Sequence, residues 1–401
     1  MNAVELGFTP ATELAGLIRN RKLSPVELTR AVLERIERVN PTLNLFVTIT
    51  ADAALAAARE AEQAVMRGGR LGPLHGLPVS IKDLAFTRGV PTKFGSHIFA
   101  TRVPEHDAVY VRRLREAGAI MVGKTTSPEF GWKALGDSPL TGVSHNPWNT
   151  AHTTGGSSAG AAGAAAAGLG PLHQGTDGAG SIRIPSAFCG IVGVKPTYGR
   201  VPLWPVSNND YATHAGPMTR TVADAALMLA AMAGPDTWDA TSLEAPPADY
   251  VGLLERGVRG KRLAFSPDLG GLRVDPEVAA LVRAAVREFE TLGGSVEEVK
   301  PGFADSTEMI RLMWSAHYAG NYGQFLSEWR DRMDPGLVAC IEEARRWSAA
   351  DYVATRGRKI GYWDSVRPLF ETYDFLLTPT TSVPALPNGR LNPEGWPQHA
   401  W

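Results

Sequence analysis

The chain is 401 residues long, with 40 Lys and Arg against 41 Asp and Glu, so its formal net charge is −1. That balance lacks the basic footprint of a protein whose main partner is nucleic acid, and no nucleic-acid partner is expected. Hydrophobic residues at 44% and charged residues at 20% exclude whole-chain disorder, and a chain of this length buries an ample core without metals or disulfides.

Two cysteines, Cys189 and Cys340, are too few for a disulfide framework, and neither sits in a CxxC pair. Met1 to Thr9 carries Glu5 where a signal peptide has basic residues. Ala159 to Leu172, the one membrane-like run, is short and mostly Ala and Gly. Reduced thiols, no export signal and no membrane span together predict a cytoplasmic protein without a membrane partner.

The first predicted element is helical. Ser24-Pro25-Val26-Glu27 places a hydroxyl at the N-cap, proline at N1 and a carboxylate at N3, which predicts a capping box. Val26, Leu28, Ala31, Val32, Ile36 and Val39 continue it at roughly helical spacing. A second helix is predicted over Ala51–Met66, and after Gly68-Gly69 short apolar runs alternate with Gly and Pro. Leu77–Ile81 reads as a buried strand, Asp107–Ala117 as a helix, and Ala119–Val122 as a strand ending at Gly123-Lys124. Gly142–Pro196 is dominated by Gly, Ala, Ser and Thr. Thr221 caps a predicted helix over Val222–Met232, and Lys261–Ser266, Pro276–Thr291 and Ser295–Val299 read as strand, helix and strand. Asp305–Glu371 is mostly helical, and Asp374–Thr378 is a last strand. The alternation predicts an α/β architecture around a largely buried sheet. No repeat of fixed period interrupts it, and Ala245–Asp249 is the best place for a loop between lobes.

The nine histidines are scattered, and neither an HExxH pattern nor an Asp-rich loop is present, so no metal is expected. Gly155-Gly156-Ser157-Ser158-Ala159-Gly160 lacks the Gly-Lys-Ser/Thr ending of a phosphate loop. The largely polar Trp148–Thr154 precedes it where a dinucleotide fingerprint needs a strand, so no cofactor is expected. The same residues match G-x-S-x-G, the nucleophile elbow of a serine esterase, with Ser158 as nucleophile. The strand that an elbow needs is missing, and His173, His214, His317 and His399 follow without an informative context.

Gly175-Thr176-Asp177-Gly178-Ala179-Gly180-Ser181 is a stronger pattern. Its glycines leave backbone N–H groups free to converge on an oxygen beside Ser181, as an oxyanion hole requires; a tight turn whose glycines serve packing is the alternative. A serine nucleophile needs a base, and without a persuasive histidine lysine is the alternative. Of nine lysines, Lys82, Lys124 and Lys195 follow short apolar runs that could carry them into a buried site. A basic lysine must be neutral, and moving its pKa from about 10.4 to near 7 asks for about 4–5 kcal/mol of desolvation or like-charge pressure. Composition does not choose among the three.

At this point the chain resembles the amidase signature family. The likeness runs in order through Pro73–Asp83, Gly155–Ser158, Gly175–Pro185, Gly193–Arg200, Gly216–Asp224 and Leu377–Thr380. The resemblance implies an amidase signature fold: α/β, with a mixed, twisted central sheet covered by helices on both faces and a helical insertion. It implies a catalytic triad of Lys82 as base, Ser157 as bridging serine after a cis peptide bond from Gly156, and Ser181 as nucleophile. It implies an oxyanion hole from the N–H groups of Gly178, Ala179, Gly180 and Ser181, with Ser158, Asp177 and Arg183 holding the loops. Lys124 and Lys195 become structural candidates. Gly178-Ala179 stands where many members have Thr-Gly, and Gly in the first place resembles some members acting on aryl or lactam-type amides. Ala179 resists positive φ, so its backbone must be one alanine adopts.

The activity so implied is hydrolysis of a small-molecule carboxylic amide, of aryl or aliphatic type, through a Ser181 acyl-enzyme. Trp132, Trp148 and Trp204 are candidates to line an acyl pocket. The alternatives are the glutaminase subunit of a tRNA-dependent amidotransferase, the Ser158 esterase, and an inactive binding or scaffold protein. A homodimer is compatible with each. The expected organisation is one amidase domain over 1–401, with N-terminal helices at 1–70 and the catalytic core at 71–235. The helical insertion then lies within 236–371, and 372–401 returns to the core. Family members run several tens of residues past the Thr-Pro-Thr segment, so the usual C-terminal segment is expected to be missing.

Overall fold

Alternating helices and strands build a mixed six-stranded sheet in the first of two units. The computed structural model describes residues 1–205 and 212–396. The first unit holds Met1–Gly252, Asp331–Asp334 and Pro387–Leu391, and the second holds Leu253–Arg330, Pro335–Leu386 and the described residues from Asn392.

In chain order the first unit runs α1 (Ala3–Phe8), α2 (Ala11–Arg19), α3 (Pro25–Leu43), β1 (Phe46–Ile49), α4 (Ala51–Arg67), β2 (Pro78–Lys82), α5 (Val109–Glu116) and β3 (Ile120–Thr125). Two small hairpins follow, β4 (Asp137–Ser138) with β5 (Gly142–Val143) and β6 (His145–Asn146) with β7 (Asn149–Thr153). Then come α6 (Ala159–Ala166), β8 (Leu172–Asp177), α7 (Arg183–Cys189), β9 (Val192–Gly193), β10 (His214–Thr219) and α8 (Val222–Met232).

The sheet order is β1-β3-β2-β8-β10-β9. β2 pairs parallel with β3 and β8, whereas β1, β10 and β9 join antiparallel. Parallel neighbours need a crossover, and α5 supplies it between β2 and β3. The predicted strands at 77–81 and 119–122 are thus β2 and β3, displaced by one to three residues at their ends. β8 and β10 carry no strand signal in the sequence.

Leu14, Ile18, Leu28, Val32 and Ile36 from α2 and α3 pack with Leu77, Val79, Ile81, Val122 and Leu172 from the sheet region, all buried in one apolar cluster. Each such side chain contributes about 1.5–3 kcal/mol by leaving water. Ser24 caps α3 by accepting from the N–H groups of Val26 and Glu27. The return bond from Glu27 that would complete the predicted capping box does not form; the Ser24 hydroxyl instead donates to Glu62 of α4 at 2.5 Å. The membrane-like run of Ala and Gly becomes α6 and the start of β8. Its small residues let α6 lie close to its neighbours: a Cβ on Gly160 would stand 2.1 Å from the Leu45 carbonyl oxygen.

The second unit runs β11 (Arg262–Phe265), α9 (Pro276–Thr291), β12 (Ser295–Glu298), α10 (Thr307–Tyr322), α11 (Leu326–Trp329), α12 (Pro335–Glu343), α13 (Ala349–Thr372) and β13 (Phe375–Leu377). Its three strands are parallel in the order β12-β11-β13. Asp275 caps α9, and Ser348 with Asp351 forms a full capping box on α13. Among the described residues no helix is long and apolar enough to cross a membrane.

Candidate active site

Lys82 is the last residue of β2, and its backbone N–H donates to the side-chain oxygen of Gln174 on β8 at 3.2 Å. Parallel pairing of Ile81 with Gln174 brings the end of β2 beside Thr176. The lysine side chain is completely buried, at 0% exposure. Its Nζ lies 2.8 Å from Ser157 Oγ, 3.0 Å from Ser158 Oγ, 3.0 Å from Thr176 Oγ1 and 3.4 Å from the Thr176 carbonyl oxygen. Burial disfavours the ammonium and the Asp177 charge opposes it, leaving the Lys82 pKa at about 7.

The peptide bond between Gly156 and Ser157 is cis. Glycine is required at 156 by close approach, because a Cβ there would lie 2.3 Å from the Leu135 carbonyl oxygen. The next residue stitches this loop to the second one: Ser158 N–H donates to the Ser181 carbonyl at 3.1 Å. The Ser158 hydroxyl is fully committed. It donates to the Thr176 carbonyl at 3.0 Å, accepts from the Thr176 N–H at 3.2 Å and faces Lys82, at 0% exposure. A buried, bonded hydroxyl with no histidine partner does not make an elbow nucleophile. His173 bonds Ser80, His214 bonds the Asp177 carbonyl, and His317 bonds Tyr352; His399 lies outside the described residues.

Asp177 shapes the loop that carries Ser181. Its buried carboxylate accepts from the N–H groups of Gly180 at 2.7 Å, Ile182 at 3.1 Å and Arg183 at 3.3 Å. Arg183 adds a two-pronged contact through Nε and Nη2, each at 2.9 Å. Burial pushes the carboxyl pKa up, but the Arg183 bonds and charge, with the Gly180 and Ile182 N–H groups, outweigh it and hold the value at about 2. This arrangement modifies the expectation for Gly180. Its N–H, counted among the oxyanion donors, is turned inward onto Asp177, and the residue takes a left-handed φ of 112°. Among the described residues the N–H groups of Gly178, Ala179 and Ser181 have no protein acceptor. Ala179 is absent from the residues with positive φ, so its side chain is accommodated.

Lys82, Ser157, Ser158, Asp177 and Ser181 are therefore gathered in one place. The Lys82–Ser157 link is hydrogen-bonded, whereas among the described residues the Ser181 hydroxyl has no partner. Ser181 also keeps more exposure, 9% against 3% for Ser157.

Of the other lysines, Lys124 is buried against Ala85, Thr87 and Thr92, and half-buried Lys195 donates to the Pro196 carbonyl within electrostatic reach of Asp177 and Arg183. Of the three tryptophans, Trp132 is buried next to Gly131, a residue that abuts Ser157. Trp148 is exposed and donates to the Cys189 carbonyl, and Trp204 packs on Trp238 and His106. Thr176 received no role from the sequence, although it sits inside the Gly175-Thr176-Asp177 motif and bonds both Lys82 and Ser158. Among the described residues no group of His, Cys, Asp or Glu could hold a metal ion.

Comparison with known proteins agrees with this geometry. The family profile described as Amidase matches residues 27–400. An acylamidase of Rhodococcus erythropolis is 40% identical over 398 residues, covering 98% of this chain and 83% of the relative. The A-type subunit of the glutamyl-tRNA(Gln) amidotransferase from Geobacter sulfurreducens is 38% identical over 405 residues, covering 94% of this chain and 83% of that protein. A bacterial aryl acylamidase of the amidase signature family superposes with a TM-score of 0.90 at 30% identity, across 96% of this chain and 82% of that one. With a buried lysine, two adjacent serines after a cis bond and a glycine-framed third serine on a mixed α/β sheet, the chain belongs to the amidase signature family and is a hydrolase of carboxylic amide C–N bonds.

Proposed function

We propose that amide cleavage proceeds through an acyl-enzyme on Ser181, with Ser157 as the bridging hydroxyl and Lys82 as the base. The observation that carries this reading is the fully buried Lys82 amine, 2.8 Å from Ser157 Oγ, with a pKa of about 7. Neutral Lys82 takes a proton from Ser157, which takes one from Ser181 as that oxygen attacks the amide carbonyl. The N–H groups of Gly178, Ala179 and Ser181 receive the developing oxyanion, while Gly180 serves by fixing the loop on Asp177. Collapse breaks the C–N bond, the same relay returns a proton to the leaving nitrogen, and water repeats the sequence on the ester. No cofactor takes part in this scheme.

The substrate class we assign is a small acyl amide with an aryl or aliphatic part, on the strength of the acylamidase and aryl acylamidase relatives. We place the enzyme in the cytoplasm, in keeping with its two free cysteines. A fluorophosphonate probe, intact-mass analysis and peptide mapping test the assignment. One adduct on Ser181, lost in Lys82→Ala, is expected; an adduct on Ser158, or undiminished labelling of Lys82→Ala, overturns it. The Geobacter relative supports a second reading, a glutaminase component that passes ammonia to a partner. Turnover of anilides without turnover of glutamine decides for the first.

A further inference from the structure

The loop after β3 touches the bridging serine directly. A Cβ on Gly131 would stand 3.0 Å from Ser157 Oγ and 2.8 Å from Leu84 Cδ1, so this backbone forms a wall against the hydroxyl. The same loop reaches the other side of the relay. Phe130 N–H donates to the Phe94 carbonyl at 2.8 Å, and Phe94 N–H donates at 3.2 Å to the carbonyl of Asp83, the residue after Lys82. Phe130 holds a left-handed backbone at φ 51°, as does Phe94 at φ 58°. Non-glycine residues keep that conformation only where surrounding structure imposes it.

Glu129 immediately precedes Phe130. It is wholly buried, and its two oxygens are both engaged. The Ser96 hydroxyl donates to Oε1 at 2.6 Å, and the backbone N–H of Asp334 donates to Oε2 at 2.6 Å. Lys133, four residues on, donates to the Asp334 carboxylate at 2.7 Å and to Asp137 at 2.7 Å. Asp334 is thus gripped at its N–H and at its carboxylate by one short loop, although it lies 205 residues from Glu129 in the chain. A carboxylate with no exposure persists only with such a complete set of partners.

We propose that Glu129 is a positioning residue for the amide-hydrolysis relay: by bridging Ser96 and the Asp334 N–H it fixes Phe130-Gly131 against Ser157 and holds that hydroxyl between Lys82 and Ser181. The inference rests on the assignment of Ser157 as the bridging group. Geometry separates two substitutions. The Asp334 N–H can only donate, so it needs an oxygen, while the Ser96 hydroxyl can rotate to accept. Glutamine therefore rebuilds both bonds, and alanine rebuilds neither.

The test compares wild type, Glu129→Ala, Glu129→Gln and Lys82→Ala, reading anilide kcat and KM and the rate of fluorophosphonate acylation of Ser181. For Glu129→Ala that remains folded by circular dichroism, kcat and the acylation rate are expected to fall about tenfold or more with KM nearly unchanged. Glu129→Gln is expected within about threefold of wild type. Unchanged kcat in folded Glu129→Ala, or equal impairment of the Gln variant, overturns the proposal. If Glu129→Ala does not fold, Ser96→Ala removes one of the two bonds alone; a lower kcat at constant KM supports the proposal and an unchanged kcat overturns it. Lys82→Ala keeps the two failures apart. Normal turnover there removes the relay and this role with it, whereas a dead Lys82→Ala beside a normal Glu129→Ala removes only the role of Glu129.

Discussion

Two lysines stand on adjacent parallel strands, both completely buried, in different surroundings. Lys82 ends β2, and Lys124 pairs with Ile81 from β3. Lys124 donates to the Ala85 carbonyl at 2.6 Å, Thr92 Oγ1 at 2.8 Å and Thr87 Oγ1 at 3.0 Å. Both threonine hydroxyls spend their own protons elsewhere, on the carbonyls of Val90 and Ala85. Three fixed acceptors face the three protons of an ammonium, and Asp83 stands 4.0 Å away. Around Lys82, Ser158 is likewise a fixed acceptor, because its proton goes to Thr176. Ser157 has no such commitment, so its proton can point at a nitrogen lone pair. Burial lowers both pKa values, and Asp83 opposes it for Lys124. Burial alone therefore does not make a base. On the proposed scheme, the direction in which neighbouring hydroxyls point their protons separates a lysine that holds a loop from one that accepts a proton.

Removing each amine should separate these roles. Lys82→Met is expected to lower kcat/KM about 10³-fold or more while the chain stays folded. Lys124→Met leaves Asp83 buried without its partner and is expected to cost about 3–5 kcal/mol of stability, read by urea unfolding. Near-normal kcat/KM should remain in its folded fraction. The comparison breaks if the Lys124 variant is as dead as the Lys82 variant at unchanged stability.

Part of the fold was legible in residues whose chemistry is local. Ser24 and Thr221 mark their helices because an N-cap needs only a hydroxyl and the next turn, and α8 starts and ends where Thr221 and the apolar run predict. The Pro73–Asp83 and glycine–serine segments carried the family likeness, and the fold brings Lys82 to Ser157 and ties Ser158 to the Ser181 carbonyl. β8 and β10 escaped, because Leu172-His173-Gln174-Gly175-Thr176-Asp177 and His214-Ala215-Gly216-Pro217-Met218-Thr219 lack β-branched alternation. They are strands because pairing on both sides satisfies their backbone. Thr176 escaped with β8, since its place beside Lys82 follows from strand register. Glu129 escaped because its partner Asp334 is remote in sequence. Among the three lysines the family likeness singled out Lys82, whereas the acceptors that hold Lys124 come from loop residues that no spacing records.

The proton affinity of Lys82 gives the next test. With a pKa of about 7 in the fold against an ordinary 10.5, kcat/KM should fall about tenfold per pH unit below 7 and level off above it. The stability sign follows from the same pair of values. Between about 7 and 10.5 the unfolded chain binds the proton and the folded chain does not, so stability rises with pH across that window. Below about 7 both forms are protonated and this contribution is flat. Buried Lys124, held at about 8, adds a slope of the same sign between about 8 and 10.5. Lys82→Met should therefore make the slope shallower and abolish it between about 7 and 8, and a slope unchanged there would assign it to another group.

Single hydroxyls should give the smallest and sharpest effects. Thr92→Val keeps shape but takes one acceptor from Lys124, at an expected cost of about 1–3 kcal/mol with no change in the kcat/KM profile. Thr176→Val takes one acceptor from Lys82. A hydrogen bond to the charged form favours that form, so its loss lowers the lysine pKa further. The acid limb of kcat/KM should then move to lower pH by about half a unit to one unit. A limb that moves upward would mean that Thr176 donates to the amine rather than accepting from it, and the lone pair aimed at Ser157 would have to be reassigned.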